Sequence, residues 1–423
     1  MVTLIERAVL IGVQTQTDEH FEYSMEELGN LAEAIDVKVV GSITQNLERI
    51  NPSHYVGTGK IAEIRNFYEE ADANLVIFND ELSPSQIRNL ENGLECKVID
   101  RTMLILDIFA RRARSRESRM QVDLAQLQYM LPRLIGLRAS LGRQGGGTGG
   151  GLQNKGAGET KLELDRRVIE DQIAKLRREL DHVQGQRETQ RKQRQRSGIP
   201  VVSLVGYTNA GKSTIMNGLL EKMNVEADKQ VFEKDMLFAT LDTSVRQVRL
   251  PGNKKFLLTD TVGFVGKLPH NLVKAFRSTL EEARDADLLL QVVDVSHPEY
   301  RFMMEVTDET LQDVGVENVP TINIFNKSDQ ADLVYPKISD NNIWLSAKEG
   351  TGLDELVELI KDHIFDQYIT CKVLIPFDRG DVVAYLNDKA NVKETTYDEE
   401  GTFMTVEMLK NDRERFEEFI TSY

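Results

Sequence analysis

Residues 200–214 read Pro-Val-Val-Ser-Leu-Val-Gly-Tyr-Thr-Asn-Ala-Gly-Lys-Ser-Thr: an apolar run that ends in Gly206-x-x-x-x-Gly211-Lys212-Ser213 and then turns helical. A phosphate-binding loop needs this order. Glycines let successive backbone N–H groups converge on phosphate oxygens at a helix amino terminus, the lysine adds charge, and the serine hydroxyl reaches a divalent cation. The loop residues Gly206, Tyr207, Thr208, Asn209, Ala210, Gly211, Lys212, Ser213 and Thr214 are therefore the expected phosphate cradle.

Such loops serve adenine and guanine nucleotides alike, so the base must be read elsewhere. Thr-Ile-Asn-Ile-Phe, residues 321–325, is a buried-strand pattern that runs into Asn326, Lys327, Ser328 and Asp329. A carboxylate at Asp329 can accept from both the ring N–H and the exocyclic amine of guanine, and mispairing a buried charge penalises the wrong base. Asn326 is expected to brace the loop and the Lys327 stem to cover the base. Ser346, Ala347 and Lys348 stand where a short loop can offer backbone N–H to guanine O6. Lys-Phe-Leu-Leu-Thr-Asp ends another apolar run at Asp260, placed to hold Mg2+ through water, and Thr261, Val262 and Gly263 follow, with Gly263 at the γ-phosphate. In Phe238, Ala239, Thr240, Leu241 and Asp242, the Thr240 hydroxyl is the candidate switch ligand to Mg2+ beside that of Ser213. Lys212, Thr240 and Gly263 are the expected catalytic groups. The strand-linked motifs fall at the carboxyl ends of strand runs, where open α/β sheets bind ligands. The residue after Gly263 is Phe264. A phenyl ring cannot orient the attacking water as a glutamine does in related switches, so slow intrinsic hydrolysis stimulated by a partner is expected.

Working outward, residues 1–101 alternate strand-like runs (AVLIGV, VKVVGSI, NLVIF, CKVID) with helical ones (MEELGNLAEAI, SPSQIRNLENGL), a parallel α/β rhythm. Two long helical stretches follow, Thr102 to Leu131 and about Glu159 to Arg196, expected as an antiparallel hairpin over 102–198. Between them, residues 142–158 hold nine glycines with Arg143 and Lys155. Such a stretch is either a flexible linker or a hairpin tip whose bare backbone approaches a ligand. Residues 199–365 make the nucleotide domain. Residues 366–423 read as a small α+β domain with two strands around Tyr-Asp-Glu-Glu-Gly (397–401) and a charged helix from Asp412. Gly57-Thr58-Gly59-Lys60 lacks the full phosphate-loop spacing and reads as a turn before a helix.

The net charge of −16 over 423 residues argues at first against a polyanionic partner. The charge is not evenly spread. Residues 101–198 carry 21 Lys and Arg against 11 Asp and Glu, a net of +10 that leaves −26 on the remainder. No apolar stretch approaches the ~18 residues of a membrane span, the start MVTLIERAVLIGV interrupts any signal-peptide core with Glu6 and Arg7, and neither end offers a simple lipidation site. Two cysteines, Cys96 and Cys371, exclude a disulfide framework and fit a reducing cytosol. A cytoplasmic monomer is expected.

His-Tyr-Val-Gly-Thr-Gly-Lys-Ile-Ala-Glu-Ile (54–64), Arg101 with the run that follows it to Leu134, and the glycine-rich loop followed by Gly-Glu-Thr-Lys-Leu-Glu-Leu-Asp-Arg-Arg (158–167) resemble the signatures of the HflX family of GTPases over nearly the whole chain. Ala157 and Lys155 depart from the family's Gly-Pro-Gly-Glu-Thr ending and its upstream arginine. The resemblance implies a P-loop GTPase domain, an amino-terminal α/β domain with a long helical hairpin, and a small carboxyl-terminal domain. It also implies GTP hydrolysis with Mg2+, and binding to the ribosome, chiefly to the large subunit and its rRNA, with splitting or rescue of stalled ribosomes. The alternatives are a regulatory switch acting on a protein or, through its basic segment, on anionic membrane, and a structural RNA-binding protein with a degenerate nucleotide fold. The intact Lys212, Ser213, Asp260 and Asp329 disfavour the last.

Overall fold

A computed structural model describes residues 6–144, 153–196, 199–223, 238, 244–250, 254–269, 282–365, 368–410 and 413–422. The chain forms two compact units. The first is Met1–Arg191 with Lys234–Asp242 and Gly263–Thr279; the second is Lys192–Glu233, Thr243–Val262 and Leu280–Tyr423.

In the first unit, β1 (Arg7–Gln14), β2 (Lys38–Asn46), β3 (Leu75–Phe78) and β4 (Val98–Asp100) form one sheet in the order β2-β1-β3-β4. All three pairings are parallel. The near-continuous apolar runs of β1 and β3 are the sequence mark of strands buried on both faces, which crossover helices supply: α1 (Phe21–Glu33), α2 (Thr58–Glu70) and α3 (Pro84–Leu94). Pro84 opens α3 behind a Ser83–Gln86 capping box. Strand order reverses between β1 and β3, so the crevice at their carboxyl ends is the topological switch point of this sheet.

The stretch from Thr102 is two helices rather than one. In α4 (Arg101–Arg112), capped by Asp100, Leu104, Ile105, Leu106, Ile108 and Phe109 are buried. The Ser115 hydroxyl then accepts from Ser118 N–H at 3.0 Å and starts α5 (Arg116–Gln144), because a serine here satisfies a donor that a continuing helix would have to satisfy itself. Buried Asp100 joins these parts: it accepts from Met103 N, Leu82 N and Tyr129 Oη and pairs with Arg133 at 3.3 Å. After α5 comes α6 (Gln153–Arg196). Arg116–Glu179 and Glu117–Arg187 pairs set the start of α5 beside the far half of α6, as an antiparallel hairpin requires. Of the glycine-rich stretch, residues 142–144 and 153–158 are helical, and 145–152 lie outside the described residues. Gly57 is the N-cap of α2, and Lys60 pairs with Glu63 on that same helix, so Gly57-Thr58-Gly59-Lys60 is a helix start.

The second unit holds a seven-stranded sheet of β5 (Val201–Gly206), β6 (Ser244–Arg249), β7 (Lys255–Asp260), β8 (Leu288–Asp294), β9 (Thr321–Asn326), β10 (Lys337–Ser339) and β11 (Asn342–Trp344). Its order is β10-β11-β9-β8-β5-β7-β6, antiparallel only at the two edge pairs. Helices α7 (Lys212–Lys222), α8 (Tyr300–Asp313) and α9 (Leu353–Ile364) accompany it. Then β12 (Tyr368–Ile375), α10 (Gly380–Lys389), β13 (Asn391–Tyr397) and β14 (Thr402–Leu409), with β15 (Ile420–Ser422), build a smaller sheet in the order β13-β14-β12-β15. The 397–401 turn forms as expected, with Asp398 accepting from Glu400 N and Gly401 N. The charged helix expected from Asp412 is only one turn, α11 (Arg413–Phe416), because Phe416 and Phe419 turn into the apolar core and the chain leaves as β15 (Ile420–Ser422). Lys254, between β6 and β7, pairs with Glu407 at 3.0 Å and sits near the rings of Phe365 and Tyr368, tying the small sheet to the large one.

Ile77 is fully buried at the centre of β3, so Ile77→Ala should destabilise the first unit by about 2–5 kcal/mol. Denaturant unfolding followed by circular dichroism measures it; a loss below about 0.5 kcal/mol, the usual surface value, would place Ile77 outside a packed core.

Candidate nucleotide-binding site

The phosphate loop follows β5 and opens α7, and its glycines are there for space and conformation. Gly206 has φ +140° and a Cβ there would fall 2.2 Å from Val292 O; Gly211 has φ +97° and a Cβ would fall 2.2 Å from the Asn326 amide nitrogen. Asn209 is also left-handed at φ 60°, a conformation asparagine tolerates better than most side chains. The Lys212 ammonium lies inside the loop, donating to Gly206 O at 2.9 Å and Tyr207 O at 2.7 Å. Burial of this lysine lowers its pKa to about 8, with the Asp260 charge opposing the shift.

Asp260 closes β7 fully buried, and the Ser213 hydroxyl donates to it at 3.2 Å. A hydroxyl and a carboxylate side by side are hard oxygen donors of the kind Mg2+ takes, one directly and one through water, so the residues fit that ion. Thr261 is turned inward, its hydroxyl donating to Leu204 O at 2.7 Å. Thr208 Oγ1 is buried and without a hydrogen-bond partner among the described residues.

Asn326 joins the loops. Its amide donates to Ala210 O at 2.9 Å, and its carbonyl oxygen accepts from Ala347 N at 3.0 Å. Ser328 N donates to Leu345 O, and Ser328 Oγ to Phe325 O. The second loop is closed by Ser346 N to Thr351 O and by Glu349 N to the buried Ser346 hydroxyl. Asp329 Oδ1 is buried with no hydrogen-bond partner among the described residues. A buried carboxylate oxygen in that condition is costly, and a ligand N–H would relieve it. Lys327 is left-handed at φ 60° and its ammonium pairs with Asp294 at 2.6 Å. Lys348 is exposed. Asp294 was not among the expected residues, although the strand ending Val-Val-Asp (292–294) has the same form as the one ending at Asp260.

The second unit thus brings together Gly206–Thr214, Asp260–Val262, Asn326–Asp329 and Ser346–Lys348. Gly263 and Phe238 fall in the first unit. Phe238, expected beside nucleotide, is buried edge-on against Phe109 at 4.7 Å between ring centres: an apolar ring gains more there than near phosphate. Ala239, Thr240, Leu241 and Asp242 lie outside the described residues. Among the described residues no group of three or more His, Cys, Asp or Glu could hold a metal ion.

Four family profiles match in succession: GTP-binding GTPase N-terminal over 22–110, GTP-binding GTPase Middle Region over 112–194, 50S ribosome-binding GTPase over 201–327, and HflX C-terminal domain over 334–420. GTPase HflX of Caldanaerobacter subterraneus subsp. tengcongensis is 44% identical over 99% of this chain and 94% of its own. The chain belongs to the HflX family of GTPases. GTPase HflX of Escherichia coli is 36% identical over 94% of this chain and 92% of its own. A GTP-binding protein of Sulfolobus solfataricus, solved in complex with GDP, is 26% identical, covers 85% of this chain and 99% of its own, and superposes with a TM-score of 0.44. By that membership the protein is a GTP-binding P-loop GTPase. No helix among the described residues is long and apolar enough to cross a membrane.

Two outcomes follow for the site. Nucleotide phosphates favour charged Lys212 and raise its pKa in the complex, so binding takes up a proton wherever the free lysine has lost one. Affinity should therefore be flat below about pH 7.5 and fall as pH rises through 8, by about tenfold near pH 9; a GDP titration across that range that stays flat contradicts the low pKa. Asp329→Asn replaces an acceptor with a donor and should exchange guanosine for xanthosine preference by about 100-fold or more. Competition between GDP and xanthosine diphosphate measures it, and unchanged GDP affinity would remove Asp329 from base reading.

Proposed function

We propose that this GTPase acts on the ribosome, chiefly the large subunit and its rRNA, and dissociates or rescues stalled particles in a GTP-dependent manner. The observation that carries this is the net +10 of residues 101–198 on an otherwise acidic chain. Arg114, Arg116, Arg119, Lys175, Arg177 and Arg178 of that segment are exposed. A basic helical hairpin with few apolar side chains suits structured RNA read by shape and phosphate. Membership of the family supports the same partner.

In this reading the loop N–H groups and Lys212 hold the β- and γ-phosphates, Asp329 and the Ser346–Lys348 loop hold the base, and Asn326 keeps the two subsites in register. Ser213 and Thr240 would hold Mg2+, with Asp260 behind a water; the ion would neutralise charge developing on the leaving phosphate. Gly263 offers backbone N–H to the γ-phosphate. Phe264 is buried and supplies no hydrogen bond to an attacking water, so the free protein turns over slowly and the RNA-bound one faster.

Sedimentation with separated subunits and intact ribosomes, in GDP and in a non-hydrolysable GTP analogue, tests this. GTP-state binding to large subunits should weaken steeply with salt, as phosphate contacts require, and subunits should raise GTP turnover at least about tenfold. No binding and no stimulation would contradict the proposal. Capture by anionic vesicles that rRNA fails to displace would favour the membrane alternative.

A further inference from the structure

The segment that follows Gly263 is seated in the first unit by contacts that nucleotide binding does not explain. Arg101, 1% exposed, is the largest fully buried side chain there. It pairs with Glu27, donates to Asn79 Oδ1 at 3.0 Å and Ser24 O at 3.3 Å, and with its remaining Nε–H donates to Gly266 O at 3.1 Å. The next residue, Lys267, left-handed at φ 55°, pairs with Asp80 at 2.8 Å and Asp18 at 3.2 Å. Asp18 follows β1 and Asp80 follows β3, the two strands between which the order reverses. Lys267 therefore occupies the crevice where an open α/β sheet ordinarily takes a ligand. Phe264 and Val265 are buried at 2% and 1% exposure. Phe238, two residues before the candidate switch Thr240, packs in the same unit, on Phe109.

We propose that Lys267 is a tethered ligand of the amino-terminal sheet, and that its ion pairs to Asp18 and Asp80, with the Arg101–Gly266 bond, latch the segment that carries Gly263. The proposal rests on the reading of Gly263 as the γ-phosphate contact. Lys267 is four residue steps from Gly263, a reach of at most about 14 Å, so fixing one end restricts the other. Because GDP has no group for Gly263 to meet, the latch acts on the GTP state alone. Coupling between sites is reciprocal: what releases Lys267 from the crevice favours GTP, and GTP weakens the hold of the crevice on Lys267. An anion or RNA phosphate competing for Lys267 would act in the same direction.

Arg101 variants leave a buried Glu27 charge without its partner and should unfold the unit, so the test uses Lys267, which is partly exposed. Affinities for GDP and for the β,γ-imido analogue of GTP are measured on the full chain for wild type, Lys267→Ala, Lys267→Arg, Asp18→Asn and Gly263→Pro, which removes the backbone N–H, at low and high salt. Lys267→Ala should bind the analogue about two- to fivefold more tightly with GDP affinity unchanged, the range an exposed ion pair commands. Asp18→Asn should move the same way, Lys267→Arg should stay near wild type, and high salt should reduce the difference. If Gly263→Pro removes the preference between analogue and GDP while Lys267→Ala leaves it alone or shifts both nucleotides equally, the latch is overturned and the γ-phosphate reading stands. If Gly263→Pro leaves the preference intact, that reading falls and the latch with it.

Discussion

One carboxamide holds the nucleotide site in register. Asn326 ends β9 and spans Ala210 O on one side and Ala347 N on the other, so the phosphate cradle and the base-reading loops share a single side chain. Gly211 has no Cβ because the same amide lies 2.2 Å from where it would stand. The geometry follows from topology: β5 and β9 flank β8 in a parallel sheet, and their carboxyl ends open on one side. Only a side chain with both donor and acceptor can close the gap, which aspartate and leucine of similar size cannot.

Around that bridge the site is built from polar groups left in need of a ligand. Asp329 Oδ1 and Thr208 Oγ1 are buried without protein partners among the described residues, and Lys212 is held at a depressed pKa. Each is costly in isolation, and each gains from one part of a guanine nucleotide: base or phosphate. Local stability is thereby exchanged for ligand affinity, and binding should in turn stabilise the second unit.

The parts legible in sequence were those whose physics is local. The phosphate loop, the strand-ending Asp260 and Asn326, and the alternation of β1 to β4 with helices depend on neighbouring residues, and the runs that marked them are the elements found. What escaped depends on partners far along the chain. Nothing near Arg101 tells that its guanidinium meets Glu27 and Gly266, 74 and 165 residues away. Lys327 was read for its stem over the base, and the partner of its ammonium, Asp294, was not among the expected residues. The break at Ala113 to Ser115 was hidden because both halves of the stretch carry apolar residues at helical spacing; one half is core and the other a hairpin arm. The carboxyl-terminal helix was overextended for a similar reason, since charge density masked two phenylalanines bound for the core.

The account turns on Asn326 joining the two subsites, and calorimetric GDP binding to Asn326→Ala tests it most directly. Losing two buried hydrogen bonds, each worth about 1–2 kcal/mol, should lower the unfolding midpoint and, because the two loops lose their common register, weaken GDP by roughly 30- to 1000-fold. Affinity within about threefold of wild type, equivalent to less than 1 kcal/mol, would mean that phosphate and base are held independently and would contradict the account.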